Sequence, residues 1–458
     1  MDSEDWLQSE IARLHASADS EEVIDDIETL LLQTDTFSYV FQLRTRLAIL
    51  YQRQQNYELA INQYNILIDL KEHSPGSYYN RGITYYAMSD FERARADFEK
   101  AVELDWEEDF SYYYNLGMVC RVLNDTARAL YCFDTAIRLR ENDALTYYQR
   151  ARVHIMMDNE DAALTDLNTT IELEPEDYIF YERALLYARR EQYELAIQDC
   201  SSAIALNDSR AAYYHERGYY YDQLKLFEQS MPDYHKAIEL RPSWSPPYNN
   251  RGNLYSEDKH YEKAIQDYNK AIEFNDQKPL YYHNRGFAYQ MMGKWELAVQ
   301  DYYRCLELEP DRAQIYYNMM DYHLGRGEHN WALQVCRQLI ENDPDDSEHY
   351  IKMALILWEL KHYEEMKPFL QHIMDTDPDH AEAYNMMGLA QYRQGHLEGA
   401  LIYYNRAIEL APTIELYFRN RALVYKNMRK PIEAAQDRLT ADRLRRYRHL
   451  SPVPDDKK

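Results

Sequence analysis

Apolar residues along this chain fall at helical spacing in pairs of short segments, and the pattern renews itself about every 34 residues. The stretch Ser245–Lys278 shows it most plainly. Tyr248, Gly252 and Tyr255 share one helical stripe at i, i+4 and i+7, and Ala264, Tyr268 and Ala271 share another. A polar turn, Ser256 to His260, lies between them. The spacing predicts two antiparallel helices whose apolar stripes face each other and a neighbour. One hairpin of this length cannot bury both faces, so copies must stack on either side.

With each copy numbered from the start of its first helix, a small residue stands at position 8, an aromatic at 11, Ala at 20, an aromatic at 24, Ala at 27 and often Pro at 32. This arrangement resembles the tetratricopeptide repeat (TPR). It recurs about twelve times over roughly residues 41–450, with copies starting near Phe41, Pro75, Phe110, Ala144, Asp177, Ala211, Ser245, Pro279, Ala313, Ser347, Ala381 and Glu415. The resemblance implies an all-α, right-handed superhelical solenoid of about twelve antiparallel helix–turn–helix repeats. Residues 1–40 fit the repeat poorly and are expected to form a helical N-terminal cap, with Leu7, Ile11 and Leu14 on one face and Val23, Ile27, Leu30 and Leu31 inward behind a Ser20 cap. No linker interrupts residues 41–450, so one continuous array is expected, and residues 451–458 are expected to be disordered.

Two copies depart from the pattern in the same way. Pro232 and Pro368 both stand at position 22, inside the second helix, and Ser230 and Met366 replace the usual Ala at position 20. A mid-helix proline costs about 3 kcal/mol unless the helix bends or begins later. These repeats are expected either to bend the array or to kink one exposed helix without further consequence.

A pairing runs through the repeats. Position 7 is Arg in seven of them, and in those same seven position 23 is Asp: Arg81/Asp97, Arg150/Asp166, Arg183/Asp199, Arg217/Asp233, Arg251/Asp267, Arg285/Asp301 and Arg421/Asp437. The other five carry Leu47/Gln63, Leu116/Cys132, Met319/Val335, Met353/Phe369 and Met387/Tyr403. The two residues come and go together, so an ion pair within each repeat is expected. The mostly apolar replacements predict a site at least half buried, where these arginines hold structure rather than ligand.

TPR arrays bind extended peptides or partner helices along a concave face lined by the first helices, and the resemblance implies such a groove here. Position 6 is Asn80, Asn115, Asn250, Asn284, Asn318 and Asn420. An Asn amide both donates and accepts, so it can hold a peptide backbone whatever the sequence. The consecutive Asn250, Asn284 and Asn318 resemble the asparagine ladder of the O-linked N-acetylglucosamine transferase repeats, although Asn is also common at this position in TPRs. Gln149, Glu182 and Glu216 interrupt the row. Around that break Tyr181, Glu182, His215, Glu216, Tyr219 and Asp222 are expected to share the face, an aromatic and acidic surface suited to basic segments or simply to solvent. The clamp that holds chaperone C-terminal carboxylates uses Lys at position 2, and no repeat here has it.

Composition narrows the function further. The net charge of −27 disfavours nucleic acid and anionic membranes as partners. Five cysteines, Cys120, Cys132, Cys200, Cys305 and Cys336, fall in helix register with no CxxC, as small buried residues in a reducing compartment. The acidic N-terminus has no long apolar run, and no window approaches a membrane span, which leaves the cytoplasm as the expected location. No phosphate-binding glycine loop, HExxH or GxSxG occurs, so neither catalytic residues, a metal nor a cofactor is expected. Arg438, Arg443, Arg445, Arg446 and Arg448 cluster in the last helix, as a solvated cap or as a docking patch for an acidic partner. The expected function is an interaction scaffold or adaptor with protein or peptide partners; the alternative is a structural scaffold that self-assembles through the array ends, with homo-oligomers.

Overall fold

The computed structural model describes residues 3–16, 21–71 and 73–448. Among them lie 26 helices and no strand, packed consecutively in antiparallel pairs. The chain divides into two compact units, residues 1–242 and 243–458. The first holds two leading helices and six hairpins, and the second holds six hairpins. Eleven first helices begin on the residues the spacing marks, from Pro75 to Glu415; the earliest begins at Phe37 rather than Phe41. The expected tail, 451–458, and the expected cap Ser20 lie outside the described residues.

The leading helices, Ser3–Ala16 and Glu21–Leu31, close the apolar face of the first hairpin. Ile11, Leu14, Val23, Ile27 and Leu30 are buried with Leu43 and Leu47 of the helix Phe37–Arg53. Ile24 is buried as well, whereas Leu31 is only half-buried. Tyr51 of the first hairpin donates back to Glu28 at 2.5 Å.

Six hairpins close around one contact between a position-8 glycine and a position-24 ring. A Cβ placed on Gly252, at position 8, would stand 2.7 Å from the ring of Tyr268, at position 24, and one on Gly117 would stand 2.7 Å from the ring of Phe133. Glycine thus lets an aromatic ring lie directly on the first helix. Position 24 is smaller at Leu167, Cys200 and Leu370, and there position 8 is Ala151, Ala184 and Ala354; Cys336 is accompanied by Met320 instead.

The turn between the two helices depends on one residue in the left-handed region. Position 15 has positive φ in every repeat, yet only Gly293, Gly327 and Gly395 are glycines there. In the stretch that typifies the repeat, the first helix runs to Glu257, Lys259 has φ 59°, and His260 N–H bonds to the Tyr255 carbonyl at 2.7 Å. That six-to-one bond ends the helix in a Schellman motif. The turn therefore begins two residues later than Ser256.

Neither unusual proline interrupts or delays its helix. Phe227–Leu240 and Tyr363–Thr376 have 14 residues each, the same as the second helix Tyr261–Phe274. Pro232 and Pro368 are exposed, as are Glu228 and Glu364 four residues earlier, so water reaches the carbonyls they leave unbonded. Ser230, fully buried, donates its hydroxyl to the Gly218 carbonyl at 2.8 Å, a bond that satisfies a polar group where other repeats place Ala.

An L-residue in the left-handed region costs about 1–2 kcal/mol, while glycine adds unfolded-chain entropy of about 0.5–1 kcal/mol. Lys259→Gly is therefore expected to stabilise the second unit by about 0.5–1 kcal/mol, read as a raised thermal midpoint. A lowered midpoint would contradict this account of the turn.

Candidate functional site

Within the first helices, position 7 points its arginine at the second helix of the same hairpin. Arg81 meets Asp97 in this way, Arg150 meets Asp166, Arg183 meets Asp199, and Arg217 meets Asp233. In the second unit Arg251 meets Asp267, Arg285 meets Asp301, and Arg421 meets Asp437. In all seven pairs Nε and Nη2 donate to the two carboxylate oxygens, at 2.6 to 2.8 Å. Such a fork fixes both distance and angle between the helices.

The acids lie deep in the hairpin, within the expectation of a site at least half buried. Asp97, Asp166, Asp199, Asp233, Asp267, Asp301 and Asp437 are all buried, 2 to 6% exposed, while their arginine side chains keep 15 to 22%. The reason is geometric: the carboxylate sits at the foot of the fork, on the face of the second helix that turns toward the first. The seven acids therefore expose almost no surface. Burial pushes the Asp301 carboxyl up, and Arg285 pulls it back down. Each guanidinium also lies 5.6 to 5.8 Å from the aromatic ring at position 4 of its own helix.

The third nitrogen does something the sequence reading missed. In six of the pairs Nη1 donates to position 25 of the preceding repeat: Asn65, Asp134, Asn168, Ser201, Asn269 and Asn405, at 2.6 to 3.0 Å. One arginine thus ties two helices of its own repeat to the repeat before. A signal was present in the sequence. Before the apolar repeats of Leu116, Met319, Met353 and Met387, position 25 is Glu99, Tyr303, Arg337 and Gln371, none of them a short side chain.

The position-6 amides reach back in a related way. Asn284 donates to Asn249 at 2.9 Å and to Asn253 at 3.0 Å, and Tyr268 donates to the same Asn253 oxygen at 2.9 Å. Asn420 donates to Asn385 at 2.8 Å, and Asn115 to Tyr79 at 3.0 Å. The acceptors Asn249, Asn385 and Tyr79 all stand at position 5 of the preceding repeat. Asn249 also donates to Asn250 at 3.1 Å, and Gln314 to Asn318 at 3.2 Å. Both amide hydrogens of Asn284 are thereby taken. Asn250, Asn284 and Asn318 are half-buried.

In the first unit the same link appears with the donor reversed: Tyr148, at position 5, donates to Glu182, at position 6 of the next repeat, at 2.7 Å. Burial and then Glu182 push the Tyr148 phenol up. The Tyr181 ring lies 4.9 Å from Tyr213, which donates to Asp177 at 2.8 Å. His215 lies 3.1 Å from Glu216 but is buried, so it presents little surface; Tyr219 is exposed.

The five cysteines are buried and unpaired, and burial pushes Cys120 and Cys305 up to about 11 and Cys132 and Cys336 up to about 12, far from a reactive thiolate. No described helix is long and apolar enough to cross a membrane. Asp343, Asp346 and His349, which the sequence reading did not group, bring three potential ligand atoms within 4.8 Å of one another. His349 Nδ1 lies 3.0 Å from the Asp343 carbonyl oxygen, and Nε2 lies 3.3 Å from the Asp346 carboxylate.

Stacked helical hairpins with a polar, side-chain-linked first-helix face define a helical-repeat protein of the interaction-scaffold class. The chain belongs to the tetratricopeptide repeat family. Tetratricopeptide repeat models match residues 79–144, 211–243, 279–312, 348–380 and 381–414, and a further TPR repeat model matches 252–293. Among solved structures, YrrB, described as a TPR protein with an unusual peptide-binding site, is 23% identical over 41% of this chain and 96% of its own, with a TM-score of 0.37. The C-terminal part of a TPR protein from Cytophaga hutchinsonii is 20% identical over 54% of this chain and 99% of its own, TM-score 0.46. Yeast Tom70 is 15% identical over 90% of this chain and 97% of its own, TM-score 0.34. No curated protein matches.

Removing one partner of a buried ion pair costs about 3–5 kcal/mol, because the other charge is stranded. Arg285→Met is expected to destabilise on that scale, whereas Arg285→Met with Asp301→Val, which copies the Met319/Val335 pair, recovers most of the loss; denaturant unfolding of the three proteins checks this. Asn284→Ala leaves the buried Asn249 oxygen short of a donor and is expected to cost about 1–2 kcal/mol in the same assay.

Proposed function

We propose that the chain is a non-enzymatic scaffold or adaptor that takes extended protein segments along its first-helix face. One observation carries the reading: four position-6 side chains, those of Asn115, Glu182, Asn284 and Asn420, are held by position 5 of the preceding repeat, while Asn250 and Asn318 are held from within their own repeats. Polar groups fixed before binding lose little entropy when a segment arrives. In the second unit Asn250, Asn284 and Asn318 would read a peptide backbone. In the first, Glu182 and Glu216 beside Tyr181 and Tyr219 favour a basic side chain by ion pairing and ring contact; His215, being buried, would act by positioning Glu216. The net charge of −27 supports protein rather than nucleic acid or an anionic membrane as partner. The buried free thiols support the cytoplasm as the setting.

A second reading, self-assembly through the array end, is favoured by Ile432 and Leu439, 70% and 66% exposed on the last helix, Pro431–Arg448. Arg438, Arg443, Arg445 and Arg446 are exposed on the same helix, and the Arg448 side chain lies outside the described residues. Light scattering separates the two readings: growth in mass with concentration that Ile432→Glu with Leu439→Glu removes would support assembly.

Affinity capture with mass spectrometry tests the main reading. The informative variant is Asn250→Ala with Asn318→Ala, which leaves the Asn284–Asn249 bond in place. Partners held by the wild type and lost by this variant, at an unchanged thermal midpoint, are the expected result. Undiminished recovery would place binding elsewhere.

A further inference from the structure

A cavity of about 240 Å³ lies between three consecutive first helices of the first unit, Phe110–Val122, Ala144–Met156 and Asp177–Arg189. Arg121, Arg152 and Arg189, one from each helix, converge on it, and Ile155 and Leu186 supply an apolar wall. A carboxylate neighbours the arginines in the lining, that of Glu182, and its oxygen is engaged by Tyr148 at 2.7 Å.

Nearby arginines divide into paired and unpaired ones, and Arg128 and Arg140 lie over the rings of Tyr131 and Phe110. Arg138, Arg150 and Arg190 each pair with a carboxylate at 2.6 to 2.7 Å, as Arg138–Glu108, Arg150–Asp166 and Arg190–Glu160 do. Arg121, Arg152 and Arg189 pair with no carboxylate among the described residues. The Arg121 Nε is buried and has no hydrogen-bond partner. Burial and then the charge of Arg152 push the Arg121 guanidinium down from its ordinary value. What sets Arg121, Arg152 and Arg189 apart is that all three line one cavity, in a chain with 78 acidic side chains against 51 basic ones. Arg152 is half-buried and Arg189 exposed, so the burial argument rests on Arg121: its Nε is buried without a partner, and an incoming oxyanion would relieve that.

We propose that this cavity receives an acidic side chain of a bound protein segment, with an adjoining apolar residue of that segment against Ile155 and Leu186. The arginine forks suit a carboxylate or a phosphate group, which share this chemistry. The inference rests on the proposed reading of the first-helix face as a protein-binding surface. It adds a preference for acid at this point, one repeat before the Glu216 surface that favours a basic side chain, and so describes a segment of mixed charge.

The test is fluorescence anisotropy of the full chain with labelled ten-residue peptides of alternating Glu and Leu, of Gln and Leu, and of phosphoserine and Leu. The Glu or the phosphoserine peptide is expected to bind at least about ten-fold more tightly than the Gln peptide, more weakly as salt rises, and the tighter of the two identifies the oxyanion. Arg121→Met with Arg152→Met is expected to lose about ten-fold or more in affinity while its thermal midpoint holds, and Arg121→Lys with Arg152→Lys to retain part of it. Equal binding of the Gln peptide, full affinity in the Met variant, or no binding of either acidic peptide would overturn the proposal. Asn250→Ala with Asn318→Ala should bind these probes as the wild type does. Failure of the probes alongside Asn-dependent partner capture would remove the arginine subsite alone. Probe binding with Asn-independent capture would remove the peptide-backbone reading alone.

Discussion

The arginine at position 7 is the constraint around which most repeats are built. Two of its nitrogens fix the second helix through Asp at position 23, its plane lies by the ring at position 4, and in six cases the third nitrogen holds the preceding repeat. A repeat array has no single core, so its stability is a sum of terms within repeats and between neighbours. The guanidinium contributes to both sums at once. Its energy is not simply additive with the apolar packing, because a buried ion pair repays desolvation only when every polar atom is satisfied. Here the fork leaves neither carboxylate oxygen of Asp301 without a donor.

The apolar repeats show that the fold does not require this device. Met319/Val335, Met353 and Met387 are buried in a contiguous cluster of the second unit without any charge at positions 7 and 23. Ion pair and apolar contact are two solutions to the same geometry. Packing in that cluster is non-directional, whereas the fork accepts one distance and one angle. The two kinds of repeat therefore differ more in how tightly they specify the helix pair than in whether they form it.

Much of this was legible in the sequence. The period placed eleven first helices on their starting residues because position 8, position 24 and the proline at position 32 all report on one hairpin. The Arg–Asp pairs could be read because both members change together within one repeat. Their unequal depth could not, because covariation says that two residues meet and not which of them the neighbouring helices cover. What also escaped were the relations between repeats: Arg183 to Asn168, Asn284 to Asn249, Tyr148 to Glu182, and the meeting of Arg121, Arg152 and Arg189. Helical periodicity says which face a residue shares, but not which residue of the next hairpin stands opposite. The left-handed residue at position 15 escaped for another reason. Lys225, Lys259 and Lys361 carry no local signal for positive φ; the Schellman bond imposes it.

These relations bear on function because a binding face is made by side chains from several repeats at once. The links between repeats also hold Asn284 and Asn420 and set the aim of Glu182. The most direct measurement of this account is a double-mutant cycle on Arg183→Met and Asn168→Ala, which joins two repeats of the first unit through one 2.7 Å bond. If the guanidinium couples neighbouring repeats, the two substitutions together will cost less than the sum of each alone, with a coupling of about 1 kcal/mol. Strict additivity would mean that Arg183 serves its own hairpin only, and the account of how the array holds its register would be contradicted.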